Sequence, residues 1–455
     1  MQTNPLKRVN SDQKQEKPVI SLFTATCIVV ASMIGTGVFT SLGYQVTDIK
    51  SGFALLALWI VGGIFALCGA LSYGELGAVM PRSGGEYHYL SKIYHPALGF
   101  LSGWLSVTVG FAAPIAAAAM AFENYLSPIL PFFPPPTLAL AVVIAISLIH
   151  IKNLKIGSSF QNIFTLGKGV LIFALIACGF FIAEPQTISF LPSGKDLNLI
   201  LSAPFAISLV FVTYSYSGWN ASIYIANEVK DPEKNVPLSL LAGTMIVMII
   251  YLLLNFIFLY TTPISELEGK QEIGYIAATY IFGPSGGKLM SILISFGLIS
   301  SISSMVWAGP RVTQVIGEDI PFFKLLAVKN SSGIPYYAVL LQLAISVCLV
   351  ITSTFDAVVT YLGFTLTLSS FLTVLGVFIH RIKYPEIPRP YKTWGYPVTP
   401  LIFLAISVWI LIFTFIGKPV ESIAGLGTIF IGIIVYFFAS RKQLAYSSSE
   451  ISRKN

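Results

Sequence analysis

Long apolar stretches without charged residues, separated by short polar connections, run along almost the whole chain. A membrane-spanning helix needs about 20 apolar residues to cross a hydrocarbon core roughly 30 Å thick. Windows of that length predict twelve spans, so we expect an all-α integral membrane protein. The predicted spans cover residues 19–44, 52–79, 94–123, 136–150, 157–183, 203–228, 238–260, 286–316, 334–352, 356–380, 399–417 and 421–440.

Composition and motif content narrow the class of protein further. Of the 455 residues, 55% are hydrophobic and 10% are charged, against roughly 25% charged residues in an ordinary soluble domain. Such a chain could not cover a water-soluble surface. The phosphate-binding pattern GxxxxGK followed by Ser or Thr, and the zinc-protease pattern HExxH, are both absent from the sequence. We therefore expect neither an enzyme nor a cofactor.

The cysteines and histidines form no metal-binding pattern. Each cysteine lies singly inside an apolar segment, with no Cys-x-x-Cys pair and no histidine at ligand spacing, so we interpret the cysteines as packing residues. The histidines fall at predicted cytoplasmic helix ends, and no metal site is expected. These residues are Cys27, Cys68, Cys178, Cys348, His88, His95, His150 and His380.

Positive charge is distributed unevenly between the predicted spans, and this predicts the orientation of the chain. Cytoplasmic loops of membrane proteins retain Lys and Arg. With the N-terminus inside, most of the 27 basic residues fall in the two tails and the cytoplasmic connections. We therefore expect a multi-pass protein of the cytoplasmic (inner) cell membrane, with both termini cytoplasmic and the lipid bilayer, not nucleic acid, as its surroundings. The basic residues on the outer side are Lys50, Lys195, Lys270, Lys288 and Lys418.

Six acidic residues also lie at predicted cytoplasmic helix ends. We interpret most of them as interfacial contacts or as parts of an inner gate. They are Glu75, Glu86, Glu228, Asp231, Glu318 and Asp319.

The first predicted span is interrupted by two glycines and two hydroxyl residues between Ser32 and Phe39. Glycine inside a helix is unfavourable by about 1 kcal/mol relative to alanine. Non-helical backbone at membrane depth survives where it faces protein or a watery cavity. A break at Gly35, Thr36 and Gly37 therefore indicates a binding cavity, and the alternative is close helix packing through small residues.

The sixth predicted span contains a second polar, glycine-bearing interruption, from Tyr214 to Asn220. The two interrupted spans lie five helices apart, which is the arrangement in which transporters build midplane sites from half-helix ends. Spans 1 to 5 and 6 to 10 are then repeats of opposite topology. The predicted organisation is a cytoplasmic N-terminal tail (1–17), a ten-helix transport core (18–380, with repeats at about 18–183 and 203–380), helices 11 and 12 with their preceding loop (381–440), and a cytoplasmic C-terminal tail (441–455).

The backbone groups freed by the two breaks predict what the site binds. Amides of the first break would lie at the positive end of a half-helix and suit a carboxylate. Carbonyls near Ile34 and around the second break would suit an ammonium, so the pair specifies a zwitterion such as an α-amino acid. The predicted substrate-binding residues are Ile34, Gly35, Thr36, Gly37, Val38, Tyr214, Ser215, Tyr216, Ser217 and Gly218.

Lys168 is the one basic residue deep inside a predicted span. A lysine at the centre of a membrane helix costs about 2.5–3.5 kcal/mol on insertion scales, so it needs a partner or a role. Burial can lower the affinity of a lysine for its proton, and Lys168 would then exchange a proton during transport. Alternatively it is a permanently charged brace between the broken first helix and hydroxyls such as Ser300 or Ser301.

Five motifs in order resemble the amino acid, polyamine and organocation transporter family, and the resemblance covers nearly the whole chain. The sixth-helix string is most similar to the L-type neutral amino acid branch, although hydroxyl groups in Tyr214-Ser-Tyr216 stand where that branch more often has Phe and Ala. The motifs are Ile34-Gly-Thr-Gly-Val-Phe39, Pro81-Arg-Ser-Gly-Gly-Glu-Tyr-His-Tyr89, Phe100-Leu-Ser-Gly-Trp104, Tyr216-Ser-Gly-Trp-Asn220 with Asn227 to Pro237, and Arg389-Pro-Tyr-Lys-Thr-Trp-Gly-Tyr-Pro397.

The resemblance implies the leucine-transporter fold, with two five-helix inverted repeats plus two extra helices, and alternating access. It also implies that Tyr214 is the aromatic gate over the substrate and that Lys168 occupies the position of a lysine found in many members. Two mechanisms stay open, proton symport and amino acid exchange, and the partner subunit is unknown. The alternatives are a carrier of another small amine or organic solute on this fold, and a membrane channel or sensor.

Overall fold

The computed structural model describes the backbone of residues 20–82, 84–152, 156–182 and 184–454. The predicted N-terminal tail therefore lies outside the described residues. Within the described ranges the chain is helical, and one isolated bridge joins Ile20 to Val229.

The α-helices follow one another along the chain with short connections. They are α1 (Leu22–Met33), α2 (Gly37–Asp48), α3 (Gly52–Val79), α4 (Gly85–Ile93), α5 (Pro96–Leu105), α6 (Ala112–Leu126), α7 (Thr137–Lys152), α8 (Ile156–Phe181), α9 (Asp196–Ile200), α10 (Ala203–Tyr216), α11 (Pro232–Thr261), α12 (Ile264–Leu267), α13 (Ile273–Asp319), α14 (Tyr336–Thr352), α15 (Phe355–Lys383), α16 (Val398–Gly417) and α17 (Pro419–Lys454).

Several of these helices begin with a Ser or Thr side chain that caps the first turn. The first amides of a helix have no partner inside it, and a Ser or Thr just before the first turn can accept from them. Ser51 accepts from the amide of Ala54 at the start of α3, and Thr354 accepts from the amide of Ala357 at the start of α15. Both helices thus begin where an apolar run follows a hydroxyl residue.

Seven helices of the described part are long and apolar enough to cross a membrane, and the bent pair α1 and α2 makes an eighth. Three shorter apolar helices cover Thr137–Ile151, Gly167–Phe181 and Tyr336–Thr352. The seven are Gly52–Val79, Pro96–Leu126, Pro232–Thr261, Ile273–Asp319, Phe355–Lys383, Val398–Gly417 and Pro419–Ser440. The structure therefore supports a multi-pass membrane protein, and the count of twelve spans stays a prediction.

Several predicted spans differ from the observed helices, and the span predicted at 421–440 belongs to α17, which continues to Lys454. The span predicted at 286–316 lies within α13, which consists of two helices joined across a kink at Gly283, where φ is +77° and the backbone is not helical. The span predicted at 94–123 contains a π-helical turn, Ser106–Gly110, between α5 and α6. The span predicted at 203–228 ends as an α-helix at Tyr216 and continues after a turn as the 3₁₀ segment Ala221–Glu228.

Small residues bring the helices around the two interruptions close together. A Cβ at Gly243 of α11 would lie 2.6 Å from Cγ1 of Val29 in α1. A Cβ at Gly62 of α3 would lie 2.2 Å from Cγ1 of Val212 in α10. Side chains of Val thus fill the space that each glycine leaves. Membrane helices associate through such close packing, because the surrounding lipid is as apolar as their side chains. The interrupted helices are thereby held against α3 and α11.

Candidate functional site

The first interruption separates α1 from α2 and bends the chain by 42°. Helix α1 ends at Met33, Ile34 leaves the helical conformation with φ −72° and ψ 88°, and α2 begins at Gly37. A Cβ on Gly37 would lie 2.5 Å from both Cα and Oγ of Ser215 in α10. Glycine is required at this position because the backbone of the second interrupted helix lies directly against it.

The second interruption begins after Tyr216, which is later than the sequence predicts. Tyr214, Ser215 and Tyr216 still belong to α10, so they form its last turn and not the break itself. The chain leaves the helix at Ser217 and turns at Gly218, whose φ is +97°. A Cβ on Gly218 would lie 2.7 Å from the carbonyl oxygen of Ser32, so a residue without a side chain is needed there for two reasons.

Buried hydroxyl groups join the two interrupted helices. The Oγ atoms of Ser41 and Ser215 are 3.0 Å apart, and Ser41 also donates to the carbonyl oxygen of Phe211 at 3.2 Å. The hydroxyl of Tyr214 donates to Oγ1 of Thr36 at 3.2 Å. All these side chains are buried. The structure therefore brings Thr36 and Gly37 together with Tyr214 and Ser215, and it places Gly218 against Ser32.

Tyr216, although predicted at the same site, points to a different neighbour. Its hydroxyl donates to the carbonyl oxygen of Trp59 in α3 at 3.2 Å, and its ring packs against those of Trp59 and Tyr251. Successive residues of an α-helix are rotated by about 100°, so a side chain two positions after Tyr214 leaves the opposite face. Tyr216 anchors α10 on α3.

Several backbone groups that the sequence predicts to be free already have partners. The carbonyl oxygen of Ile34 accepts from Nζ of Lys168 at 3.3 Å, and that of Tyr214 accepts from the amide of Ser217 at 3.0 Å. By contrast, Thr36 caps α2 without a side-chain bond. The first amides of a helix have no partner within it, so the amides of Gly37 and Val38 remain donors at the start of α2.

Two tyrosines that the sequence analysis missed hold the first interruption in place. The hydroxyl of Tyr251 in α11 lies 2.6 Å from the carbonyl oxygen of Met33 and 3.2 Å from that of Ser215. The hydroxyl of Tyr125 in α6 donates to the carbonyl oxygen of Phe39 at 2.7 Å and accepts from the amide of Gly274 at 3.0 Å. In the sequence, the only sign of this role is that each tyrosine is a polar aromatic residue inside an apolar helix.

Lys168 connects α8 to the first interruption and to α13. Its Nζ donates to Oγ of Ser301 at 2.7 Å as well as to Ile34. A Cβ on Gly297 would lie 3.3 Å from Cε of Lys168, so this glycine makes room for the aliphatic chain. Ser300 is buried next to Ser301, and no described hydrogen bond joins it to Lys168. These contacts are the ones that a structural brace requires.

A buried ion-pair cluster lies at the predicted cytoplasmic end of α3. The carboxylate of Glu75 accepts from Arg381 in two hydrogen bonds, of 2.8 and 2.6 Å, and Nε of Arg389 lies 3.5 Å from it. The amide and hydroxyl of Thr393 also donate to Glu75. Glu75 is thus a buried anchor for α15 and for the loop that follows it.

No metal-binding group emerges from the described residues. Within them, no three His, Cys, Asp or Glu side chains lie close enough to hold an ion. The four cysteines are unpaired, two of them exposed and one buried.

An apolar bundle of membrane helices in which two interrupted helices meet at their breaks has the architecture of a membrane transporter. A profile of the amino acid permease family matches residues 20–439. The chain belongs to the amino acid permease family, and it is a multi-pass membrane protein and not an enzyme.

Individual relatives agree with this family over almost the whole chain. A large neutral amino acids transporter small subunit 2 from Mus musculus is 29% identical over 438 residues, covering 92% of this chain and 81% of its own. A b(0,+)-type amino acid transporter 1 from Homo sapiens is 28% identical, with 92% and 87% covered. The serine/threonine exchanger SteT from Bacillus subtilis (strain 168) is 27% identical, with 94% and 98% covered.

Proposed function

We propose that this protein is a secondary active transporter of neutral amino acids that works by alternating access at the paired interruptions. The observation that carries the proposal is the junction of Thr36 and Gly37 with Tyr214 and Ser215, where amides at the start of α2 that make no described hydrogen bond lie beside buried hydroxyl groups. An amide-rich helix start binds a carboxylate. The substrate ammonium would bind backbone carbonyls of the breaks.

The preference for neutral substrates rests on the chemistry of the side chains at the junction. Thr36, Ser41, Tyr214 and Ser215 are uncharged and can exchange hydrogen bonds with a substrate hydroxyl, and no carboxylate among them would recognise a cationic side chain. The named substrates of the Bacillus relative are serine and threonine. We therefore place small hydroxyl-bearing amino acids first among the candidates.

The fold that goes with this mechanism has twelve spans, ten of them in two inverted repeats at about 18–183 and 203–380. The bent pair of α1 and α2, and the turn between α10 and the 3₁₀ segment Ala221–Glu228, support such a pairing of broken helices. Helices α16 and α17 would be the two additional spans, and both are largely unburied, with 33% and 22% of their apolar windows covered by protein. Both termini would be cytoplasmic in a cell membrane.

Reconstitution of the purified single chain into proteoliposomes tests the proposal directly. Labelled serine, threonine, leucine, arginine and a polyamine are offered with and without internal substrate, and with and without a pH gradient. Uptake that requires internal substrate indicates exchange, whereas uptake driven by the pH gradient indicates proton symport. Empty liposomes are the control.

The outcomes separate the candidates. Transport of a neutral amino acid by the chain alone would support the proposal and would also show that no partner is needed, although the mouse relative is named a small subunit. Transport of an amine or another solute, with no uptake or exchange of any amino acid, would overturn it.

A further inference from the structure

Two buried carboxylates lie near the predicted cytoplasmic end, and their surroundings differ. Glu75 contacts two arginines. Glu86, in the first turn of α4, is also buried, with 8% of its surface exposed. Its oxygens accept from the hydroxyls of Tyr73 at 2.5 Å, Ser369 at 2.9 Å and Ser370 at 3.4 Å. Glu86 thus joins α4 to α3 and α15 through hydroxyl groups alone.

No cation compensates the charge of Glu86 within the described part of the chain. The polar groups facing it are Tyr73 from α3, Ser369 and Ser370 from α15, Ser102 from α5, Tyr224 from the 3₁₀ segment and Tyr89 from α4 itself. None of them is basic. The described ion pairs of this region involve Glu75 and leave Glu86 out.

A buried carboxylate without a cation is expensive to ionise, because neutral hydroxyl donors replace only part of its hydration. The helix start and the three hydroxyls favour the ionised form. Burial outweighs them and raises the pKa of Glu86 above its usual range. The carboxyl group therefore holds a proton in this packing at pH values where a solvated glutamate has lost it.

We propose that Glu86 is a proton-binding site that controls the docking of α4 on α3 and α15. When α4 is docked, the carboxyl group is neutral and bonded to Tyr73, Ser369 and Ser370. When this contact opens, water enters and the proton passes from the carboxyl oxygen to water. The inference rests on the proposed function in so far as opening of this end is a step of transport.

The direction of the pH dependence follows from the two states. Docking raises the pKa of Glu86, so docking is fully favoured below the solvated value of about 4.3 and weakens as the pH rises toward the raised value. One proton changes the docking equilibrium at most about tenfold per pH unit. Opening of α4 should therefore increase with pH across this window and level off above it.

Hydrogen exchange measured by mass spectrometry tests this without any transport. The full chain is examined in nanodiscs from pH 5 to 8, and exchange of residues 84–94 is corrected for the pH dependence of intrinsic amide exchange. In the unmodified protein we expect opening to increase up to about tenfold per pH unit. Glu86→Gln, which copies the neutral carboxyl group, should abolish this dependence.

Two further variants keep the test decisive. Ser369→Ala retains the carboxyl group but removes a donor to its ionised form, so the midpoint should move upward by about one pH unit. Glu268→Gln is the matched control, because Glu268 forms an exposed ion pair with Lys50, at 2.6 Å, on the predicted outer side of the protein. It should leave the profile unchanged.

The outcomes are distinct from those of the proposed function. A flat profile in the unmodified protein, or the same slope in Glu86→Gln, would overturn the proton site. If no amino acid is transported but the exchange profile behaves as expected, the proposed function fails and the proton-controlled contact stands. If neutral amino acids are transported, their rate should depend on pH in the unmodified protein and much less in Glu86→Gln.

Discussion

The hydroxyl of Tyr251 lies 2.6 Å from the carbonyl oxygen of Met33, the last residue of α1. The two residues are 218 positions apart in the chain. The same hydroxyl lies 3.2 Å from the carbonyl oxygen of Ser215 in the last turn of α10. Since carbonyls at the end of a helix have no partner within it, one phenol of α11 stabilises both interrupted helices.

Replacing Tyr251 by Phe should loosen this junction while keeping the packing of the ring. A buried carbonyl that loses its donor costs about 1–2 kcal/mol. We expect a lower unfolding temperature and a severalfold slower exchange of substrate, measured by thermal unfolding in detergent and by counterflow in proteoliposomes. Tyr260→Phe is the control on the same helix, since its ring stacks on Phe256. Equal effects of the two variants would argue against a special role of Tyr251.

At Gly37 the two interrupted helices lie directly against each other. An added Cβ would lie 2.5 Å from Cα of Ser215, and backbone cannot move away as a flexible side chain can. Gly37→Ala should therefore cost about 1–3 kcal/mol of stability through overpacking and abolish transport. Gly427→Ala is the matched control, because nothing lies within 4 Å of the added Cβ. Normal transport by Gly37→Ala would show that the two helices are not in obligatory contact.

The hydroxyl of Tyr214 can be tested separately from its ring. In Tyr214→Phe the ring remains, and only the hydrogen bond to Oγ1 of Thr36 is lost. If Tyr214 closes over the substrate, the apparent affinity should fall about 5- to 10-fold, the effect of one hydrogen bond of about 1 kcal/mol. Tyr280→Phe, on an exposed ring of α13, provides the control. Unchanged affinity in a transport competition assay would count against this contact.

The first interruption could be predicted from the sequence because its glycines are out of place in a membrane helix. Glycines inside a membrane helix indicate either a break or close helix packing. In the structure the helix ends at Met33 and a new helix begins at Gly37. The second interruption begins later than the sequence predicts, after Tyr216. In the string from Tyr214 to Asn220, local propensity does not decide which residue leaves the helix. Gly218 decides it, through its positive φ and the nearby carbonyl oxygen of Ser32.

The residues that hold the site could not be predicted, since their partners are distant in the chain. Tyr125 reaches Phe39 across 86 positions, and Arg381 reaches Glu75 across 306. Hydrophobic periodicity finds helices but does not assign a partner to a buried tyrosine or carboxylate. The same limit explains Glu86, which the sequence placed at a helix end and the structure buries among hydroxyl groups.

Lys168 offers a test that separates a proton carrier from a brace. Lys168→Ala should abolish accumulation driven by a pH gradient, whereas Ser301→Ala keeps the lysine, removes its 2.7 Å partner and should only slow transport. Lys288→Ala, on an exposed part of α13, controls for the loss of a positive charge. Accumulation that is unchanged in Lys168→Ala would reject the proton-carrier role and leave the brace.

We expect the ion pairs of Glu75 to hold the end of α15 and the loop that follows it. Glu75 is 2% exposed, Arg381 stacks on the ring of Tyr396 at 3.6 Å, and Thr393 donates to the same carboxylate. Glu75→Gln preserves the shape but leaves two arginines facing each other without a counter-charge. Breaking a buried pair in this way costs about 3–5 kcal/mol.

We therefore expect Glu75→Gln to unfold at a much lower temperature and to expose the loop of residues 384–397 to trypsin. The exposed pair of Glu268 with Lys50 is worth about 0–1 kcal/mol, so Glu268→Gln should change neither measurement. Adding trypsin to sealed vesicles of each orientation makes the experiment stricter, because cleavage from the outer face would also contradict the predicted orientation of the chain. If Glu75→Gln were as stable and as protected as the unmodified protein, the cluster would be incidental. The loop would then be held by its remaining contacts, which include the hydrogen bonds from Arg389 to the carbonyl oxygens of Tyr384 and Ile387.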